Sequence, residues 1–316
     1  MAAGYQIRYL TNNEIDKAKW DNCIGTASNG LVYAFSFYLD TMAKTWNALV
    51  LNDYEAVMPL PCRKKAVFNY LFQPSVTPIL GVFGNNVTAE LVGGFLHHIP
   101  SSFKLWDISL NHFNPLTSST NYPAFKRDNF VLPLNKPYEQ IREAYHDNIK
   151  RAVNKALKKG CVIEKGIPPD DIISICKREF PRFTRVEPGL FDNLKIVYQH
   201  YSRQAQTYCV STGEGKKLAS CAFLFSGNRA YYWLVGNDPE SREYGASALL
   251  IDTFIRDYAG KDLILDFEGS DDKGVADFYK KFGAAAEPFA TIYYNRLPFP
   301  FNLLKRTPAT YRNPAF

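Results

Sequence analysis

Residues 229–253, RAYYWLVGNDPESREYGASALLIDT, carry the densest chemical signal in the sequence. A strand ends, Asp238-Pro239 turns the chain, and Arg242-x-x-Gly245-Ala246-Ser247 opens a helix. Small residues here let a backbone approach a ligand closely, and the free N–H groups of a helix's first turn, with its positive dipole end, can hold a pyrophosphate. A helix start with no ligand would read the same way, so a second signal is needed. Residues 262–284, DLILDFEGSDDKGVADFYKKFGA, run strand, loop, helix. Asp266 and Glu268 stand at the strand's carboxyl end, where ligands collect in open α/β sheets, and alternation puts both side chains on one face. Either carboxylate can accept a proton; Asp266 could instead cap the next helix or pair with Arg242. Tyr279 lies near the helix end beside Lys280 and Lys281, where positive charge favours its ionised form.

These residues need strands and helices to hold them. From residue 191 the pattern predicts a helix to 206 and a strand over 217–226. A Gly227-Asn228 turn leads into a strand over 229–235, followed by a helix over 243–259. A strand over 262–267, a helix over 274–282 and a strand over 289–296 close the order. Upstream, residues 12–28 read as a short amphipathic helix capped by Asn13. Residues 46–60 and 63–72 read as strands, 87–98 as a helix and 104–110 as a buried strand. The Asn-, Pro-, Ser- and Thr-rich stretch 111–137 reads as a boundary or long connection. A single helix is expected over 138–159, closed by Gly160 at C′, then a strand over 161–164 and a helix near 169–180. The fold class is therefore α/β or α+β with mixed sheets, antiparallel at the start and parallel at the finish.

The chain has 316 residues, beyond the ~250–300 at which one core stops growing, so two domains are expected. The boundaries drawn are 1–136, 137–300 and a basic, aromatic tail over 301–316. Hydrophobic residues at 46% and charged residues at 22% exclude a disordered chain. No apolar run reaches the ~20 residues of a bilayer span, and the N-terminus has no apolar signal region, so a cytoplasmic location is expected. Six cysteines show neither a CxxC pair nor regular spacing, which argues against a disulfide scaffold and a zinc ribbon. No metal is expected, because His97-His98 and the other histidines lack partners at ligand spacing.

The net charge of +6 is mild and suits anionic ligands such as phosphates. Arg151, Lys155, Lys158 and Lys159 make a basic stripe on the 138–159 helix, which is either a solvated face or a contact for substrate phosphates. Residues 288–316 contain no acidic residue. They read as packing across the domains or as a peripheral contact with an anionic membrane surface.

The 239–247 segment resembles the acyl-CoA site of the GNAT (Gcn5-related N-acetyltransferase) superfamily, Pro-x-x-Arg-x-x-Gly-x-Gly/Ala. Pro239, Arg242 and Gly245 match; Ser247 departs conservatively and Glu243 adds negative charge. Tyr279 and Gly283 hold the Tyr-x-x-x-Gly spacing of the late GNAT helix. The resemblance implies that acyl-CoA, such as acetyl-CoA, is a co-substrate donor and that no cofactor is permanently bound. It also implies that Arg242, Gly245, Ala246 and Ser247 hold the donor, that Tyr279 protonates the leaving thiolate, and that Glu268 or Asp266 takes the proton of the attacking amine. Arg151, Lys155 and Lys280 are the candidate substrate contacts.

A wider resemblance is to the FemAB and BioF2-like proteins, built from two tandem GNAT folds. It rests on Trp20-Asp21, Trp46, Pro74 and Pro78, NIKRAVNKALKKGCVIE at 148–164, and DFEGS followed by FYKKFGA. It implies an N-acyltransferase acting on an amine, with a cell-envelope precursor as acceptor; the first domain, which shows no comparable donor signature, is expected on the acceptor side. Fem-type enzymes use aminoacyl-tRNA to extend cell-wall peptides, and their late helix carries a Lys where this chain has Tyr279. An aminoacyl-tRNA-dependent peptidyltransferase and a non-catalytic tandem-GNAT binding protein are the alternatives.

Overall fold

A computed structural model describes residues 6–117, 122–179, 186–269, 272–308 and 311. In chain order the first elements are β1 (Ile7–Leu10), α1 (Lys17–Thr26), α2 (Ser36–Met42), β2 (Trp46–Leu51), β3 (Ala56–Lys65) and β4 (Phe68–Leu71). Then come β5 (Phe83–Gly84), α3 (Ala89–His97), β6 (Phe103–Ser109), β7 (Ala124–Pro133), α4 (Tyr138–Glu143), α5 (Asp147–Lys158) and β8 (Val162–Lys165). These are followed by α6 (Pro169–Glu179), α7 (Leu190–His200), β9 (Ala205–Ser211), β10 (Lys217–Ser226) and β11 (Arg229–Asn237). The last are α8 (Ser241–Tyr244), α9 (Ala246–Tyr258), β12 (Ile264–Asp266), α10 (Lys273–Lys280), β13 (Ala285–Asn295) and α11 (Phe301–Leu304).

The chain forms two compact units, Met1–Asp128 with Pro288–Phe316, and Asn129–Glu287. The first has strand order β1-β2-β3-β4-β6-β13, with β5 added to β3. The pairing is antiparallel except between β4 and β6. Leu49, Met58, Leu71, Phe95, Trp106 and Ile292 share its core. Trp20 and Trp46 lie 4.9 Å apart, and each buried indole N–H is satisfied: Trp20 donates to the Ala34 carbonyl and Trp46 to Asp40.

The second unit has the order β7-β12-β11-β10-β9-β8. Only β11 and β12 pair in parallel. α5 and α9 cover it, contributing Ile149, Val153, Ala156, Leu250 and Phe254 to one core with Phe223 and Leu265. Each unit combines mixed strands with helices, the expected α/β class, but the finish expected to be parallel is antiparallel in the second unit except for the β11–β12 pair.

Several elements differ from the sequence reading. The helix expected over 138–159 is two, parted at residues 144–146. The His146 N–H donates to the Lys281 carbonyl at 2.8 Å, and the His146 side chain caps α5 by accepting from the Asn148 N–H. Gly160 does end α5 at positive φ. The helix expected over 243–259 is interrupted at Gly245, which closes α8 and starts α9. Asp16, not Asn13, caps the first α-helix.

The stretch read as a connection contains β7. Its polar run Lys126-Arg127-Asp128-Asn129 hides the alternation, because buried Asn129 bonds to Asp266. The compact units change over inside β7 and β13 rather than after residues 136 and 300. β13 returns the chain to the first unit by pairing with β6, a long-range register no local pattern carries.

Candidate active site

β11 and β12 set the site's geometry. Their pairing runs from Arg229↔Ile264 to Tyr231↔Asp266, and β12 stops there. β11 continues from Tyr232 to Asn237, so this edge of β11 parts from its parallel neighbour at Tyr232. Farther along, Cys176 on α6 donates to the Val235 carbonyl at 3.3 Å. Burial pushes that thiol up to about 12, which leaves it a packing group rather than a nucleophile.

Residue alternation at this point separates two chemistries. Tyr232 and Phe267 turn into the core that α5, α9 and α10 cover, with Tyr279. The Phe267 ring stacks on the Tyr279 ring, centroids 4.5 Å apart and planes 20° apart, while Tyr232 meets Tyr279 edge-on at 6.3 Å. Phe130 closes the slot at 6.4 Å. The Tyr279 hydroxyl donates to no group among the described residues, yet it is not one of the sealed polar atoms.

The phenol's ionisation runs opposite to the sequence expectation. Burial raises the Tyr279 pKa above the ordinary phenol value, and the negative charge of Glu268 raises it further. Lys280 and Lys281 do not offset this. Lys280 is half exposed, 4.0 Å from Asp277, with its ammonium over the Phe130 ring at 5.2 Å. Tyr279 is therefore held neutral, the state of a proton donor.

Asp266 and Tyr231 are in-register partners, and Asp266 accepts from Arg229 at 2.8 Å, from Asn129 at 2.9 Å and from the Glu268 backbone N–H at 2.9 Å. Arg229 also binds Glu287 through both Nη atoms, at 2.8 and 2.7 Å. Burial raises the Asp266 pKa, and Arg229 with the two other donors opposes it. The partner of Asp266 is thus Arg229 rather than Arg242, and Asp272 is the residue that caps α10. Strand alternation ends before Glu268, which sits in the left-handed region at φ 62°. The charge of Glu268, not that of Asp266, bears on Tyr279. Arg229, Asn129 and Glu287 were missed by sequence reasoning, because nothing local marks a buried arginine at the start of a strand.

The α8–α9 junction is also occupied differently from expectation. Gly245 is buried at φ 76°, and a Cβ there would meet the Ala152 carbonyl oxygen at 2.3 Å. Its missing side chain makes room for α5, and its N–H bonds to the Ser241 carbonyl. Ser247 Oγ donates to Asn237 at 2.8 Å and lies 2.7 Å from Ser241 Oγ. Ala246 is buried, while Arg242 is exposed and makes no ion pair among the described residues.

Glu243 is neutralised: Lys159 binds it at 2.8 Å while lying over the Tyr244 ring, and the bond holds the carboxyl below its usual range. Arg151 and Lys155 are exposed on α5, Arg151 bonding Asn148. The second unit thus holds a neutral phenol with a carboxylate whose charge reaches it, and exposed basic residues on α5 and α8.

Residues 177–281 match the family model described as Acetyltransferase (GNAT) domain. That stretch is similar to a GNAT domain. The chain's fold extends beyond that match. FemX superposes with a TM-score of 0.61 at 12% identity, covering 94% of this chain and 99% of that one. L-PGS from Bacillus licheniformis gives 0.55 at 11% identity, covering 92% and 95%. The C-terminal domain of a protein assigned as a lysylphosphatidylglycerol synthetase, from Agrobacterium fabrum, gives 0.53 at 13%, covering 92% and 93%. A comparison with curated protein sequences gives no match. The match over residues 177–281 and these likenesses show a GNAT-type acyltransferase fold that extends beyond the matched stretch. Among the described residues no helix is long and apolar enough to cross a membrane.

Proposed function

We propose that this protein is an N-acyltransferase that moves an acyl group from acyl-CoA to an amine-bearing acceptor, with the chemistry in the unit Asn129–Glu287. The observation that carries this reading is the Tyr279 phenol, kept neutral by burial and by Glu268, with a hydroxyl that donates to no described protein group. In the proposed reaction the acceptor nitrogen attacks the thioester carbonyl and Glu268 takes the amine proton, directly or through water. The C–S bond breaks as the amide forms, and the Tyr279 hydroxyl gives its proton to the departing sulfur. The proton held by Glu268 then restores the phenol, so the products are the amide and free CoA. Asp266 is a positioning residue: its bond to the Glu268 N–H fixes the turn that aims the second carboxylate. Arg242, Arg151, Lys155 and Lys280 would attract the donor's phosphates. A cell-envelope precursor is the acceptor class suggested by the FemAB-like fold, and a cytoplasmic location accords with it.

A second reading, transfer from aminoacyl-tRNA, is favoured by one observation. Gly245 and Ser247 are engaged by protein atoms, which removes two of the features expected to cradle a pyrophosphate. The deciding experiment offers the protein labelled acyl-CoA and labelled aminoacyl-tRNA side by side with a panel of amines. Label entering amide product from acyl-CoA supports the first reading. Product formed only from aminoacyl-tRNA replaces it with the second, and product from neither donor leaves a binding protein.

A further inference from the structure

The first unit carries a patch that the transfer chemistry does not use. Phe299, Leu303 and Leu304 expose 77%, 54% and 77% of their surface, far more than isolated apolar residues need. Phe301 of α11 meets Phe68 of β4 with ring centroids 5.3 Å apart, which joins this segment to the β3–β4 hairpin. At that hairpin's tip Val67 is also exposed, beside Lys64, Lys65 and Ala66, all exposed. Two sequence segments more than two hundred residues apart therefore present apolar side chains together.

The segment is anchored rather than trailing. The Tyr293 hydroxyl donates to the Lys305 carbonyl at 3.1 Å, and Asn295 Nδ2 donates to the carbonyls of Asn302 and Lys305 at 3.1 and 2.7 Å. These bonds fix α11 to β13, leaving its apolar side chains outward.

The charged residues of the hairpin tip and of residues 288–316 are all basic. Lys64, Lys65, Arg296, Lys305 and Arg306 are exposed and make no ion pair among the described residues, and residues 288–316 hold no acidic residue. The acidic group whose field meets Lys305 is Asp107, half-buried and accepting from the Tyr311 hydroxyl. An apolar centre ringed by lysine and arginine is the chemistry of an interface with an anionic lipid surface: aliphatic and aromatic groups enter the headgroup boundary while the cations meet the phosphates. We propose that the β3–β4 hairpin tip and α11 together form a peripheral docking surface for a bilayer rich in anionic phospholipid.

The test is vesicle co-sedimentation of the full chain. It uses phosphatidylcholine vesicles with and without about one third phosphatidylglycerol. Binding is expected to the anionic vesicles, to fall at least about tenfold on neutral ones, and to weaken as salt is raised. The exposed Leu303→Glu/Leu304→Glu pair is expected to lower it at least about tenfold. Lys64→Glu/Lys65→Glu, distant in sequence, is expected to lower it by a similar factor if the surface has two parts. Circular dichroism checks that each variant remains folded.

Equal binding to neutral and anionic vesicles overturns the proposal, as does full binding by the hairpin variant. Light scattering provides the other arm: concentration-dependent dimers lost in the leucine variant, without vesicle binding, would assign the patch to a second copy instead. None of these readouts depends on transfer activity.

Discussion

Phe267 lies flat on Tyr279 while its chain neighbour Asp266 bonds Arg229, so one strand end places a phenol slot and an ion pair in different surroundings. In the proposed mechanism the two acidic residues at this strand end have separate duties. Glu268→Gln is expected to lower kcat about a hundredfold with an unchanged melting temperature. Asp266→Asn keeps an acceptor for the Glu268 N–H, and is expected to lower the melting temperature with a smaller loss of kcat. Steady-state rates beside thermal melts would separate the two. An equal loss of kcat in both variants contradicts the division.

Arg229 joins Asp266 and Glu287 in a site where its own side chain is only 8% exposed. Arg229→Met would strand the two carboxylates, and the cost of an uncompensated buried charge is about 3–5 kcal/mol. Urea unfolding should show a loss of that order.

Gly245 carries a prediction that tests structure against ligand binding. Gly245→Ala forces a Cβ against the Ala152 carbonyl and an L-residue into φ 76°. The expected loss is about 2 kcal/mol or more in unfolding free energy. A variant with full stability and a raised donor KM would return the glycine to the ligand-cradling role that its sequence spacing suggests.

How much of this could be read from the chain depends on where each signal is stored. The hairpin of β10 and β11 and the Arg242–Ser247 helix start were legible, because turn residues and small residues are local. The alternation that placed Asp266 and Glu268 on one face stops short of Glu268, since it holds only while the strand lasts and β12 ends at Asp266. β7 was invisible because its buried Asn129 is polar and its partners lie far along the chain. Tyr279 was found, but its ionisation was misjudged: adjacent lysines in sequence suggested a lowered pKa, and burial decides otherwise.

Burial raises the phenol pKa values of Tyr232 and Tyr279 above that of an unfolded chain. The folded state then holds protons that the unfolded state releases above pH about 10. Stability is expected to be fully present below that pH and to fall as pH rises beyond it. Unfolding free energy measured between neutral and strongly alkaline pH would check the sign.

The proposed transfer depends most on the proton given by Tyr279 to the leaving sulfur. Single-turnover transfer from acyl-CoA, comparing the unmodified protein with Tyr279→Phe, isolates it, because phenylalanine keeps the stack on Phe267 and removes only the hydroxyl. The expected result is a loss of about 10²–10⁴-fold in the transfer step with folding intact. An unchanged rate in the folded variant would contradict it.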